Sequence, residues 1–433
     1  MSTPPSTPIP IALLGAGIFA RQSHLPTLLR RPDLFRLVAI YSRSHSSAQT
    51  LHAAVPSSYP HPTPALYCDT TSDDDDNASV KSSGDLTALL NRTDITAVAI
   101  CLPVRVQLDV ALQALKSGKS VLSEKPIAPT SDSARGAILQ YEAHKSTVSR
   151  PPVWQIAENW RCESAIAHAA DLIATQGAGK VRTFALQVFV ETREDNQYVR
   201  TGWRTGNETA VLPGGFILDG GVHWIALLRG VLAGGDVGGV PIHTADATTP
   251  KWEIDRVAAF GGLWLDYCAP TDFVAATVQL RPTTATNPPT TRPTGTINIS
   301  FASAGKPFHL SLTVICETGL LEFTVEQVST PDNTGAKPRR GFRVVWTPSS
   351  TSSSSADTTT TTKTFVADGL DREFEVFASA LNNNTAKSTA PGLPDLSPTQ
   401  ALQDVQIIEA MLRSAKEEGR VVQVDGGSKP VDR

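Results

Sequence analysis

What the chain lacks narrows its identity first. Its five cysteines, Cys68, Cys101, Cys162, Cys268 and Cys316, include no C-x-x-C pair. Thiols scattered in this way fit a reducing compartment and argue against a zinc centre or a disulfide framework. Net charge is only −4, and no basic stripe is interleaved with aromatic residues. Nucleic acid is therefore not expected as the main partner. No apolar run approaches the length of a bilayer span. The opening MSTPPSTPIPIALLGAG has no basic region ahead of its apolar stretch, and the closing Lys-Pro-Val-Asp-Arg is not a peroxisomal tripeptide. These features predict a cytoplasmic protein with no membrane partner and no resident metal.

What is present suits a globular soluble protein of two domains, since 433 residues, 40% of them apolar, can fill two cores. Four segments rich in Ser, Thr, Pro and Asp read as loops or inserts: Thr70 to Asp85 with its Asp73–Asp76 acid run, Arg281 to Thr296, Thr347 to Lys363, and Asn382 to Pro398. The acid run is expected to be a solvated, self-repelling loop and not a cation site. In the first third, apolar strands (Ile9–Leu14, Phe35–Ser42, Ala97–Leu102, Ser120–Leu122) alternate with helical patterns such as Val106 to Ser117. That rhythm predicts a parallel, doubly wound sheet. From Val153 onward, strand-like runs (153–159, 182–191, 272–280, 295–301, 309–317, 319–325, 342–346) follow one another with few helices between them, which predicts a largely antiparallel sheet. A late amphipathic helix is expected over Pro398 to Glu418.

The glycine turn Gly15-Ala16-Gly17-Ile18-Phe19-Ala20 lies between the first strand and a helical stretch broken at Pro26. Gly15 permits the bend, Gly17 removes a side chain that would hold a pyrophosphate off the backbone, and Ala20 lets helix and strand pack closely. Free N–H groups at the following helix start would face the anion. About twenty residues beyond the turn, where a carboxylate grips the ribose of NAD, the chain has Ser42-Arg43-Ser44. A guanidinium between hydroxyls suits a 2′-phosphate, so NADP is expected over NAD.

Two further motifs carry chemistry. Ser123-Glu124-Lys125-Pro126 follows a strand, and Asp219-Gly220-Gly221-Val222-His223 opens a helix, which sets Asp219 and His223 on one face. That spacing allows a general acid/base with a carboxylate to orient it. Taken alone, Asp219 could equally cap the helix and His223 be a satisfied core imidazole.

Together the GxGxxA turn, the EKP at Glu124–Pro126 and the D-x-G-x-H-like segment at Asp219–His223 resemble the Gfo/Idh/MocA oxidoreductases, in the same order and at comparable spacing. The likeness is strongest to a fungal branch with His24-Leu25-Pro26 in the first helix and Ala157-Glu158-Asn159-Trp160-Arg161 after the Rossmann strands. The resemblance implies a Rossmann domain over residues 1–152, a C-terminal α+β domain with a large, mostly antiparallel open sheet over 153–425, and a tail at 426–433. It implies homo-oligomers formed through that sheet. It also implies that Lys125 hydrogen-bonds the reacting oxygen beside the nicotinamide, that His223 exchanges its proton, and that Asp219 positions substrate or histidine. Cofactor contacts are expected from Gly15, Gly17, Ile18, Phe19, Ser42, Arg43, Leu102, Pro103, Gln107, Glu124 and Lys125. The Asn and His that many relatives carry after the fourth strand are here Val104 and Gln107. Asn159, Arg161, Trp203 and Arg204 are expected to line a site for a hydroxylated or anionic small molecule, because guanidinium and indole offer donors and an apolar floor. The leading function is an NADP-dependent oxidoreductase acting on a sugar, polyol or other small carbonyl compound. A non-catalytic nucleotide-binding regulator and a redox-assisted lyase or glycosidase are the alternatives on the same architecture.

Overall fold

The computed structural model describes residues 7–70, 81–175, 178, 180–201, 212–232, 252–282, 291–305, 307–329, 338–349, 359–383 and 393–424. Trp203, Arg204, the acid run, the 426–433 tail and most of the four expected inserts lie outside these residues. The chain divides into two compact units: Met1–Ala157 with Leu370–Thr389 and Leu396–Thr399, and Glu158–Gly369 with Ala390–Asp395 and Gln400–Arg433.

In the first unit, strands and helices alternate as β1 (Ile9–Leu14), α1 (Leu25–Arg30), β2 (Phe35–Tyr41), α2 (His45–His52), β3 (Ala65–Tyr67), α3 (Leu86–Leu90), β4 (Ala97–Ile100), α4 (Val104–Lys116), β5 (Ser120–Glu124), α5 (Ser131–Lys145) and β6 (Trp154–Ala157). All pairs are parallel, in the order β3-β2-β1-β4-β5-β6. Every residue of β4 and β5 is buried, as a sheet covered on both faces requires. The strand order reverses between β1 and β4, and their C-terminal ends border the crevice where such folds take nucleotides. The helical stretch after the glycine turn is split. Pro26 supplies no N–H, Leu25 donates back to Ala20, and Ala20–His24 winds as a wider π turn before α1.

The second unit holds α6 (Ser164–Thr175), β7 (Val181–Val190), α7 (Gly215–Leu232), β8 (Trp252–Gly262), β9 (Phe273–Pro282), β10 (Thr294–Ser300), β11 (Phe308–Cys316), β12 (Gly319–Val328), β13 (Arg339–Pro348) and β14 (Thr361–Val366). After α8 (Gly369–Asn383) come α9 (Pro398–Lys416) and β15 (Val422–Gln423). Nine strands form an open sheet ordered β14-β13-β12-β11-β7-β10-β9-β8-β15, antiparallel except where β10 runs parallel to β7. By length and composition alone α7 could cross a bilayer, contrary to the expectation that no run could, but 83% of it is buried inside the protein. A helix apolar on all sides is what full burial selects.

Three expectations need correction. The 153–159 run does not belong to the antiparallel sheet: β6 pairs parallel with β5, from Val121↔Trp154 to Glu124↔Ala157. A short run buried at every position has no alternation to reveal its sheet, so the boundary drawn at 152/153 falls one strand early. The C-terminal domain expected over 153–425 also lacks α8 from Leu370 onward, which belongs to the first unit. There Phe374 and Phe377 pack on Phe35 with ring centroids 5.8 and 6.3 Å away, and Asp371 and Glu375 pair with Arg30 and Arg31. Finally, β14 begins inside the Thr347–Lys363 stretch read as an insert. It is an edge strand whose Thr and Lys residues stay exposed.

Candidate active site

The glycine turn is built as its residues require. Gly15 has φ +109°, and a Cβ there would lie 2.2 Å from the carbonyl oxygen of Cys101. At Gly17 a Cβ would meet nothing within 4 Å, so the missing side chain leaves room for an incoming group and none of it is filled by protein. Ile18 and Phe19 are half-buried beside the turn, as is Leu102, while Pro103 is exposed at the start of α4. This cradle at the ends of β1 and β4 fits the diphosphate of a dinucleotide. At the end of β2, Ser42 is half-buried and Arg43 exposed. Sequence reasoning missed Asp69, which the β3 loop brings here, but its carboxylate is engaged: it accepts from the Tyr41 hydroxyl at 2.5 Å and from the Leu86 N–H at 3.3 Å. Burial, and next the Asp69 carboxylate, raises the Tyr41 phenol above its ordinary range.

Around the EKP segment the chain turns inward. Glu124, the last residue of β5, sets Oε1 2.7 Å from His24 Nε2, and its Oε2 accepts the Lys125 N–H at 3.2 Å. Gln107 is 1% exposed, and its Nε2 donates to the carbonyls of Glu124 at 2.5 Å and Pro126 at 3.3 Å. The Gln107 and Glu124 side chains, both expected at the cofactor, are buried and hydrogen-bonded within the protein, and Lys125 is half-buried. His24, Cys101 and Glu124 present ligand atoms within 4.8 Å of one another. Two ligands of one tetrahedral zinc stand about 3.3 Å apart, however, and His24 and Glu124 are at 2.7 Å, the spacing of a hydrogen bond.

In the second unit, Asp219 and His223 lie one turn apart on α7. Asp219 is buried, and since the helix already starts at Gly215 it does not cap it. The carboxylate that meets the imidazole is a different one. His223 Nδ1 lies 2.6 Å from Glu158 Oε1, an oxygen that also accepts the Trp160 N–H at 3.2 Å. Residues four apart on a helix stand side by side and project the same way, whereas Glu158 comes from the separate segment that precedes the 3-10 turn Asn159–Cys162. A carboxylate only accepts, so Nδ1 carries the proton and Nε2 is left for proton exchange. The imidazole lies 6.0 Å from the Trp160 ring, which in turn packs on Phe342 and under the Arg340 guanidinium. The only sequence signal for Glu158 was its place in the Ala157–Arg161 motif.

Asn159 is buried at the head of that 3-10 turn. Arg161, expected as a substrate contact, has its Nη2 2.5 Å from Asp404, with side-chain exposures of 5% and 1%. Arg229 pairs with the same carboxylate. Two guanidiniums around one buried aspartate form an internal ion cluster, because a charge this deep needs an opposite charge at hydrogen-bond distance.

A model of the Gfo/Idh/MocA family, described as an oxidoreductase family with an NAD-binding Rossmann fold, matches residues 9–150. Over 415 residues the chain is 32% identical to dehydrogenase FPY6 of Fusarium mangiferae, covering 94% of this chain and 97% of that one. Among solved structures, the WlbA dehydrogenase of Bordetella pertussis, in complex with NADH and UDP-GlcNAcA, aligns with a TM-score of 0.66 at 15% identity, over 97% of this chain and 100% of that one. A levoglucosan dehydrogenase in complex with NADH and L-sorbose aligns with a TM-score of 0.66 at 16% identity and the same coverage. At such identities the structures speak for the fold, while the fungal relative spans both units. The chain belongs to the Gfo/Idh/MocA family, and is an NAD(P)-dependent oxidoreductase.

Proposed function

We propose that this oxidoreductase prefers NADP(H) and works on a small hydroxylated carbonyl compound of the sugar or polyol class. The observation that carries the reading is the Glu158–His223 pair, an imidazole oriented by a buried carboxylate with Nε2 left to exchange a proton. A nicotinamide held there would supply or accept the hydride. Gly15, Gly17, Leu102 and Pro103 would hold the dinucleotide. The Lys125 ammonium donates to the oxygen on which alkoxide charge develops, His223 passes it a proton, and Asp219 helps place the substrate. Exposed Arg43, flanked by Ser42 and Ser44, supports the choice of NADP, as does the engagement of Asp69 by Tyr41 and Leu86. The sugars bound to the WlbA and levoglucosan enzymes support the substrate class.

The test is oxidation of NADPH and NADH by the full chain against aldehydes, ketoses including L-sorbose, and inososes, with the reverse reaction on levoglucosan and inositols. We expect net turnover, its abolition in Lys125→Met with NADPH binding retained, and a loss of about two to four orders of magnitude in His223→Asn. Turnover that survives both substitutions would overturn these roles. NADPH binding without net turnover of any compound would favour a regulator or a redox-assisted lyase.

A further inference from the structure

Resting on the role given to Lys125 above, we propose that His24 and Gln107 are positioning residues that fix Lys125 from behind, acting through Glu124. Lys125 lies just past the end of β5 in a bend, where no ladder or helix holds its backbone. Side chains hold it instead. Gln107 bridges the carbonyls on either side of it, those of Glu124 and Pro126. The Lys125 N–H is taken by Glu124 Oε2, and the other oxygen of that carboxylate is held by His24 Nε2. His24 is fully buried, with its ring edge-on to Phe19 and Phe374 at 5.5 and 5.4 Å. The contacts therefore run from the core of the first unit, through His24 and Glu124, to the peptide that carries the lysine.

The chemistry of the pair sets its direction. A carboxylate accepts only, so His24 presents Nε2–H to Glu124, and Nδ1 is left buried without a hydrogen-bond partner. Gln107 Oε1 is likewise buried without one. Both side chains aim their donors at the Glu124–Pro126 segment and leave an acceptor unpaired, an arrangement that mere filling of space by apolar residues would avoid. A lysine reaches its target through four rotatable bonds, so a backbone free to rock would spread the ammonium over a wide volume. Fixing the peptide narrows that spread, and misplacement of a reacting group by about 1 Å costs up to roughly a hundredfold in rate.

Three variants of the full chain separate a positioning role from packing. His24→Phe keeps the ring among Phe19 and Phe374 but removes the donor, His24→Gln returns an N–H at the reach of Nε2, and Gln107→Leu removes the bridge. Hydrogen exchange at the Lys125 amide, followed with NADPH present, needs no substrate. We expect exchange faster by about tenfold or more in His24→Phe and Gln107→Leu, and near the unmodified rate in His24→Gln. On a compound that the unmodified chain turns over, kcat should fall about tenfold to a hundredfold in the first two variants, with KM and NADPH affinity within about threefold, and recover in His24→Gln. Unchanged exchange at Lys125 in both His24→Phe and Gln107→Leu overturns the proposal. So does a His24→Gln variant that falls as far as His24→Phe. Should His24→Phe fail to fold, Gln107→Leu and His24→Gln decide the matter. Normal turnover by Lys125→Met would instead remove the catalytic role of the lysine, an outcome distinct from any of these.

Discussion

At the scale of single residues, the role proposed for His223 turns on Glu158. Its carboxylate has two acceptor oxygens, and one of them serves both the imidazole and the Trp160 N–H. Glu158→Gln keeps an acceptor for each but removes the negative charge that faces the imidazole. Turnover should fall roughly tenfold to a hundredfold while the thermal midpoint stays close to that of the unmodified chain. Steady-state rates beside a melting curve check this, and an unaltered rate would return the orienting role to Asp219. On the cofactor side, Arg43→Ala should cost about 1–3 kcal/mol of the preference for NADPH over NADH, roughly fivefold to a hundredfold. Fluorescence titration of both cofactors measures it, and equal affinities in the unmodified chain would remove the basis for choosing NADP.

At the scale of elements, the parallel sheet was legible because its strands are apolar runs separated by helical patterns, and β1, β2, β4 and β5 lie where those runs are. Most strands of the second unit showed through their alternation. What stayed hidden had weak local signals. The second half of β8 is Ala-Ala-Phe-Gly-Gly, poor in strand-favouring residues. For α8 the amphipathic pattern could mark a helix but not its destination, since the partner of Phe374 and Phe377 is Phe35, far back in the chain. The candidate site divides in the same way. Gly15, Lys125 and His223 belong to motifs that read locally, whereas the Glu124–His24 and Glu158–His223 pairs join residues 100 and 65 positions apart. Helix α8 carries its own prediction. Phe377 is fully buried, and Phe377→Ala should destabilise the first unit by about 3–5 kcal/mol. Urea unfolding followed by loss of NADPH binding is the measurement, and a change below about 1 kcal/mol would mean that α8 adds little to that core.

At the scale of the whole molecule, stability should depend on pH through one buried acid. Burial first, and next the Asp368 carboxylate, pushes Glu163 up to about 8 from an ordinary value of 4.5, against the pull of the Asp368 N–H it accepts. Between those values the native carboxyl keeps a proton that the unfolded chain has released. Stability contributed by this group is therefore complete below pH 4.5, declines as pH rises toward 8, and levels off above that. Glu163→Gln, which stays neutral, should flatten this decline by about 1 kcal/mol per pH unit. Thermal midpoints of both proteins at pH 5, 6.5 and 8 would reveal it, and parallel curves would exclude Glu163 as the source.

The return of α8 to the first unit also bears on how the chain is made. The nucleotide-binding sheet leaves the ribosome ahead of the second unit, yet the helix that packs on Phe35 is encoded about 210 residues after β6, which at 5–20 residues per second means a delay of roughly 10–40 s. Throughout that interval Phe35 lacks its Phe374 and Phe377 partners, and of the early helices Leu25, Leu28 and Leu51 pack in that core. The unit begun first is finished late, so a message cut short after β6 leaves a product with a ready surface for chaperones or for other unfinished copies.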